Sequence, residues 1–214
     1  RVHIPDGDDA GYRERVMRMP NGIITYTPPE IPADHDDHRR REQFTFGSFN
    51  NPAKINRPLV DLWASILRQV PDSRLLLKYR GFNHPVLRRK LAAWLAASGV
   101  AADRLVLEGI APQDEMLRRY RDVDLVLDTA PYSGGATTCE ALTMGVPVVT
   151  FPGETFASRH SASHLINSGM SELVTSGPDD YARLAVDLAR DPKKLSGARR
   201  AIADRLPGSA HRDH

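Results

Sequence analysis

Between residues 43 and 151 the chain alternates short apolar runs with longer stretches whose apolar residues recur every three or four positions. FTFGSF (44–49), RLLLKY (74–79), RLVLEG (104–109), VDLVLDT (123–129) and PVVTF (147–151) are too short and too continuous for an amphipathic helix, and they predict five strands. Between the first two, PLVDLWASILRQV (58–70) sets Leu59, Leu62, Ile66 and Val70 on one helical face, and Pro58 suits a first helical turn. Further helices are expected over 85–99, closed by Gly99, over 113–122, through the CEALTMG stretch after Thr137 and Thr138, near 158–167 and near 178–190. Strands without polar alternation are covered on both faces, which calls for a parallel sheet with right-handed crossovers and helices on either side. The expected fold is α/β, an open parallel sheet of the Rossmann type.

The pattern differs at both ends. GIITYT (22–27) suits one short strand, and PPEIPADHDDHRRRE (28–42), rich in proline and charge, reads as an exposed linker. The chain therefore divides into an N-terminal extension and charged linker (1–42), a Rossmann-like lobe (43–191) and a C-terminal helix and tail (192–214). No internal repeat is visible.

Composition removes several function classes. The 214 residues are 41% hydrophobic and 26% charged, ordinary for a soluble globular protein. A formal charge of +2 gives no general nucleic-acid footprint. The single cysteine, Cys139, excludes an internal disulfide and fits a reducing compartment, so a cytoplasmic location is expected. No apolar stretch is long enough to span a bilayer, and no basic start followed by an apolar run suggests a secretory signal. The chain opens at Arg1 rather than at a methionine, and it is expected to be a piece of a longer protein.

Ligands of open α/β sheets bind beyond the carboxyl ends of the strands. Three loops are expected to share that rim: NNPAKI (50–55), IAPQDE (110–115) and the APYSGGATT stretch (130–138). In the last, Thr137 or Thr138 suits a helix cap, and a helix start offers unpaired N–H groups and a partial positive charge to an anion. Gly134 and Gly135 let backbone approach a ligand; alternatively they serve with Pro131 and Ser133 only to turn the chain. The stretch is neither a P-loop nor a GxGxxG. Lys54 offers a point charge to phosphate oxygens, or is simply solvated. Glu140, expected in the first helical turn, complements the helix dipole or accepts hydrogen bonds from ribose hydroxyls. His160 and His164 have a spacing that can serve zinc, but no third ligand or HExxH pattern accompanies them, and no metal site is expected. His35, His38 and the basic run 39–41 read as solvated. Cys139 lacks a base partner and reads as packing rather than as a nucleophile.

Taken in order, FTFGSFNNPAKI, PDSRLLLK, DLVLDTAPYSGGATTCEALTMGVPVVTFPGETFASR and SASHL resemble the C-terminal catalytic lobe of the protein O-linked N-acetylglucosamine transferases, a family that includes bacterial members and the plant SPINDLY-type proteins. The resemblance runs from about residue 14 to about residue 205. It implies one lobe of a two-lobed GT-B enzyme that holds a nucleotide-sugar, UDP-GlcNAc foremost. It also implies an inverting transfer, without metal, to serine or threonine of an acceptor protein or peptide. By position, it makes Lys54 the catalytic contact to the donor diphosphate and Asn51 a neighbouring amide that helps. Thr137 and Thr138 match the threonine pair facing the phosphates, beside Gly135 and Ala136. Ala111, Pro112 and Gln113 match the segment along the nucleobase, and Glu140 an acid found in related bacterial sequences. Animal members carry lysine at the position of Gln113 and histidine at those of Met116 and Ala136. SPINDLY-type members can use a GDP-sugar, so the base and sugar stay open. The resemblance further implies a partner absent from this sequence, an N-terminal lobe with tetratricopeptide repeats, without which the isolated chain is expected to be inactive. Two alternatives stand beside it: a non-catalytic nucleotide-binding or interaction module, and a glycosyltransferase using another UDP- or GDP-sugar.

Overall fold

A computed structural model describes residues 2–18, 26–27, 29 and 43–209. The expected strand over 22–27 and the charged linker, with His35, His38 and the basic run 39–41, lie outside the described residues apart from 26, 27 and 29. The five apolar runs form β1 (Phe44–Ser48), β2 (Ser73–Lys78), β3 (Leu105–Glu108), β4 (Leu125–Leu127) and β5 (Val148–Val149). All pairings are parallel, in the order β3-β2-β1-β4-β5. The central strand β1 carries a glycine for a steric reason: a Cβ on Gly47 would lie 2.7 Å from the Val123 methyls. Beyond β5 the ladder shrinks to one bridge between Thr150 and Val174, so the fifth strand is shorter than its apolar run.

Among the described residues seven α-helices connect and cover the sheet: α1 (Arg57–Gln69), α2 (Pro85–Ala97), α3 (Gln113–Arg119), α4 (Ala136–Thr143), α5 (His160–Asn167), α6 (Pro178–Arg190) and α7 (Pro192–Arg205). The Asn56 side chain caps α1 by accepting from the Leu59 N–H at 2.9 Å, with Pro58 in the first turn. The helix expected over 113–122 ends its α-helical part at Arg119 and tightens into a 3₁₀ turn, Tyr120–Asp122. Because the sheet grows in both directions from β1, right-handed crossovers put the helices that link β1, β2 and β3 on one face and the helix that links β4 to β5 on the other. Accordingly α1 packs with α2 and α6, while α4 packs with α5.

The core lies between these layers. Trp63, Ile66 and Leu67 of α1 and Tyr181 and Ala185 of α6 are fully buried against the sheet. Burial of each large side chain contributes about 1.5–3 kcal/mol. Both polar handles inside are satisfied: the Trp63 indole N–H donates to the Tyr181 hydroxyl at 3.1 Å, and that hydroxyl donates to the Asp128 carbonyl at 2.9 Å. The core is thereby tied to the loop leaving β4. At the amino end, His3 packs on the ring of Phe156 with centroids 4.9 Å apart. At the carboxyl end, Asp191 caps α7, which buries Ile202. No helix among the described residues is long and apolar enough to cross a membrane.

Candidate functional site

The sheet reverses its direction of growth between β1 and β4, and the crevice beyond their carboxyl ends is lined by the loops that follow each. After β1, Phe49 stacks on Tyr120 with ring centroids 3.9 Å apart. The Asn51 side chain then accepts from the Ala53 N–H at 2.9 Å, winding the 3₁₀ turn Pro52–Lys54. This turn carries Lys54 across to the β4 loop. Its ammonium donates to the Ser133 carbonyl at 2.8 Å and to Asn50 Oδ1 at 3.1 Å, and sits 4.3 Å from the centroid of the Tyr132 ring. Burial pushes its pKa down, and the negative charge of Asp128 offsets only part of this. Among the described residues, every direct partner of this half-buried cation is a neutral oxygen or a ring.

The β4 loop is organised around Asp128, which is 2% exposed. One carboxylate oxygen accepts from the Gly134 N–H and the other from the Thr150 hydroxyl, both at 2.7 Å. Burial raises the Asp128 pKa and these hydrogen bonds pull it back. Gly134 is a steric requirement: a Cβ there would lie 2.6 Å from Thr138 Oγ1, 2.9 Å from Thr137 Oγ1 and 3.0 Å from Asp128 Oδ1. Gly135 differs, since a Cβ there would meet nothing within 4 Å. The turning role thus belongs to Gly134, while Gly135 faces open space at the start of α4. The Thr138 N–H turns back to the Gly135 carbonyl at 3.0 Å. The N–H groups of Gly135, Ala136 and Thr137 have no acceptor among the described residues, as the first turn of a helix dictates. The Thr137 hydroxyl donates to Asn50 Oδ1 at 3.2 Å. One amide oxygen, that of Asn50, therefore receives both the Lys54 ammonium and the Thr137 hydroxyl.

Of the residues singled out from the sequence, Lys54, Gly135, Ala136 and Thr137 meet at this crevice. Several others behave differently. Gly135 occupies the cap position of α4 and no side chain caps it, so neither threonine is the N-cap. Thr138 points inward, 2% exposed, with its hydroxyl 2.7 Å from that of Ser161. Because α4 starts at Ala136, Glu140 falls beyond the first turn and does not complement the dipole there. Its carboxylate accepts from the Tyr120 hydroxyl at 3.3 Å, and burial raises its pKa. Asn51 is exposed, its oxygen used in the turn. Half-buried Ala111 and exposed Pro112 and Gln113 lead into α3 beyond β3, two strand spacings or about 10 Å along the rim from β1. Cys139 is fully buried and its thiol is pushed up to about 12 by burial, which leaves no thiolate for nucleophilic attack. His160 Nδ1 lies 3.0 Å from His3 Nε2, and His164 is buried within α5. Burial lowers the pKa of both His3, to about 4, and His160. Among the described residues no group of three His, Cys, Asp or Glu side chains is placed to hold a metal.

Sequence reasoning missed Asn50, Tyr132 and Asp128, and saw in Ser133 only a turn residue. The Ser133 hydroxyl accepts from the His160 N–H at 3.0 Å and donates to the Ala157 carbonyl at 3.0 Å, tying the β4 loop to α5. A signal for Asp128 was available in a carboxylate ending an apolar strand just ahead of a Gly-Gly turn. Tandem asparagines gave no means of telling which would turn inward.

An ammonium, free amides at a helix start and a hydroxyl thus converge from two loops in a partly dehydrated crevice, an arrangement whose chemistry suits a compact multivalent anion such as a diphosphate. The profile described as Glycosyl transferase family 41 matches residues 38–210. Among curated proteins, the chain is similar to the probable UDP-N-acetylglucosamine–peptide N-acetylglucosaminyltransferase SPINDLY of Arabidopsis thaliana. They are 38% identical over 199 residues, covering 92% of this chain and 22% of that protein. The barley (Hordeum vulgare) protein of the same description is 38% identical over 194 residues, covering 89% and 21%. Among solved structures, a mutant of the Thermobaculum terrenum O-GlcNAc transferase superposes with a TM-score of 0.90 at 36% identity, covering 97% of this chain and 40% of that one. The chain therefore spans about a fifth of the length of the curated relatives it matches.

Proposed function

The chain belongs to glycosyl transferase family 41, and we propose that it is the donor-binding C-terminal lobe of a GT-B enzyme that moves N-acetylglucosamine from UDP-GlcNAc to serine or threonine of proteins. In this reading the donor diphosphate lies in the β1–β4 crevice against Lys54 and the amides of Gly135, Ala136 and Thr137. The base extends along the rim toward Ala111, Pro112 and Gln113, where backbone groups read its edge. An acceptor hydroxyl attacks the anomeric carbon on the face opposite the diphosphate and inverts that centre. The bond from the anomeric carbon to the diphosphate oxygen breaks, and its electron pair stays on the β-phosphate. The hydroxyl proton leaves to a base outside this lobe. Lys54 and the amides bind the new charge more strongly than the starting ester, which lowers the barrier. They supply positive charge at the leaving group, so the transfer is proposed to need no divalent cation. The rest of the catalytic machinery is proposed to come from sequence present in the longer relatives.

The observation that carries this reading is the Asn50 bridge, which joins Thr137, 87 residues away, to Lys54 and so assembles the cradle from both halves of the sheet. Thermal unfolding of the chain with UDP, UDP-GlcNAc, GDP and a GDP-sugar tests it. A ligand at about 100 times its Kd stabilises by about 2.7 kcal/mol. UDP and UDP-GlcNAc are expected to raise Tm, with no sugar transfer by the isolated chain. A response to GDP alone would move the donor to the GDP-sugars; no response to any nucleotide would overturn the reading.

A further inference from the structure

Lys54 presents a physical problem that no assigned residue solves. A half-buried ammonium has three N–H donors to satisfy and a charge to stabilise, and proteins ordinarily do this with a carboxylate. Here two donors go to neutral oxygens, Asn50 Oδ1 and the Ser133 carbonyl, and the nitrogen lies over the Tyr132 ring at 4.3 Å from its centroid. The ring sits on a clamped backbone. The Thr129 hydroxyl donates to the Tyr132 carbonyl at 2.7 Å, and the next N–H, that of Ser133, donates to the Ala157 carbonyl at 3.0 Å. Its exposure of 48% is high for a large aromatic side chain, so the loop holds it in place without burying it. Among the described residues, the other charged or titratable groups near the ammonium are Asp128 at the end of β4 and His160 at the start of α5, whose ring is 6.0 Å from that of Tyr132.

We propose that Tyr132 is a positioning residue for the transfer, whose ring face holds the Lys54 ammonium in place where a carboxylate would otherwise be needed. A carboxylate there would satisfy the third donor, but it would also cancel the charge and repel a diphosphate. The π face attracts the cation through its quadrupole, carries no net charge and leaves the ammonium free to serve an incoming anion. The inference rests on the role given to Lys54 above.

The test is the pKa of Lys54, followed by NMR of its Cε–Nζ group in the 214-residue chain and assigned by loss of the signal in Lys54→Met. Tyr132→Leu keeps an apolar neighbour but removes the π face, and is expected to lower that pKa by about half a unit or more and weaken UDP binding about three- to fivefold. Tyr132→Phe is expected to restore both values. Pentafluorophenylalanine at this position keeps the ring shape but reverses its quadrupole, and should behave like leucine. An unchanged or raised pKa in Tyr132→Leu would show that the ring only shields Lys54 from water, and would overturn the proposal; so would a pentafluorophenylalanine variant that behaves like phenylalanine. The pKa comparison is made without nucleotide. Failure of the wild-type chain to bind UDP would therefore sink the donor-site reading while leaving the role of Tyr132 to be judged separately.

Discussion

Two lysines stand at the carboxyl rim of neighbouring strands, and they are housed in opposite ways. Lys78, at the end of β2, is 8% exposed and pairs with Glu108 of β3 at 3.2 Å. Glu108 is also gripped by Arg119 at 2.6 Å, and the hydrogen bonds from that guanidinium foremost hold its carboxyl below the usual range. Arg119 also pairs with Asp122 at 2.5 Å, so two cations meet two carboxylates, and the cluster pins the end of α3 to the sheet. Lys54, after β1, has neutral oxygens and a ring around it, and its pKa is depressed by burial. The Lys78 surroundings contribute stability and leave little field for a ligand. The Lys54 surroundings hold a cation at some cost to the fold and keep its charge available. A lysine's partners, more than its burial, therefore separate a charge that is neutralised from one that stays available.

The comparison is most exposed to failure at Lys54. Lys54→Ala, in the full-length enzyme, is expected to lower the transfer rate by about 10²–10³, as for the loss of one preorganised donor, while Tm changes little. A steady-state assay of sugar transfer beside a thermal melt reads both, and full activity in the variant would end the donor-site assignment. Gly134→Ala comes next. Its Cβ would press on both threonine hydroxyls and on Asp128, so a loss of about 1–3 kcal/mol in urea unfolding is expected, with nucleotide binding lost as the loop shifts. Gly135→Ala should leave the urea midpoint close to wild type, because nothing lies within 4 Å of its Cβ. The smallest effect belongs to the paired lysine. Lys78→Met should cost about 1 kcal/mol, since Arg119 still serves Glu108, and it should leave the Kd for UDP unchanged. A large drop in UDP affinity in Lys78→Met would erase the distinction between the two sites.

Most of the fold could be read from period alone. Strands covered on both faces leave continuous apolar runs, and α1 shows its buried face at Leu59 and Ile66. What escaped was end geometry. Arg104 looks like strand but lies in a 3₁₀ turn, and the helix after β3 tightens at Tyr120, because hydrogen bonding rather than hydrophobicity sets such boundaries. At the site, side-chain chemistry pointed to Lys54 and the Gly-Thr stretch, while direction did not follow from it. Thr137 and Thr138 are neighbours with the same hydroxyl, yet one reaches Asn50 and the other Ser161, because successive helical positions are turned about 100° apart. Asn50 and Asn51 divide in the same way. The buried role of Asp128 needed the return of β5 beside it, a contact between distant segments that no local window contains.

The order β3-β2-β1-β4-β5 also affects how the molecule assembles. Its seam between β1 and β4 joins segments far apart along the chain, and the polar contacts that close it span 79 residues from Lys54 to Ser133 and 87 from Asn50 to Thr137. Each half can gather its own neighbouring strands, yet neither owns a complete cradle. If the crevice is the donor site proposed above, recognition is acquired only when the halves dock, and a nucleotide bridging them would act as a clasp that resists their separation.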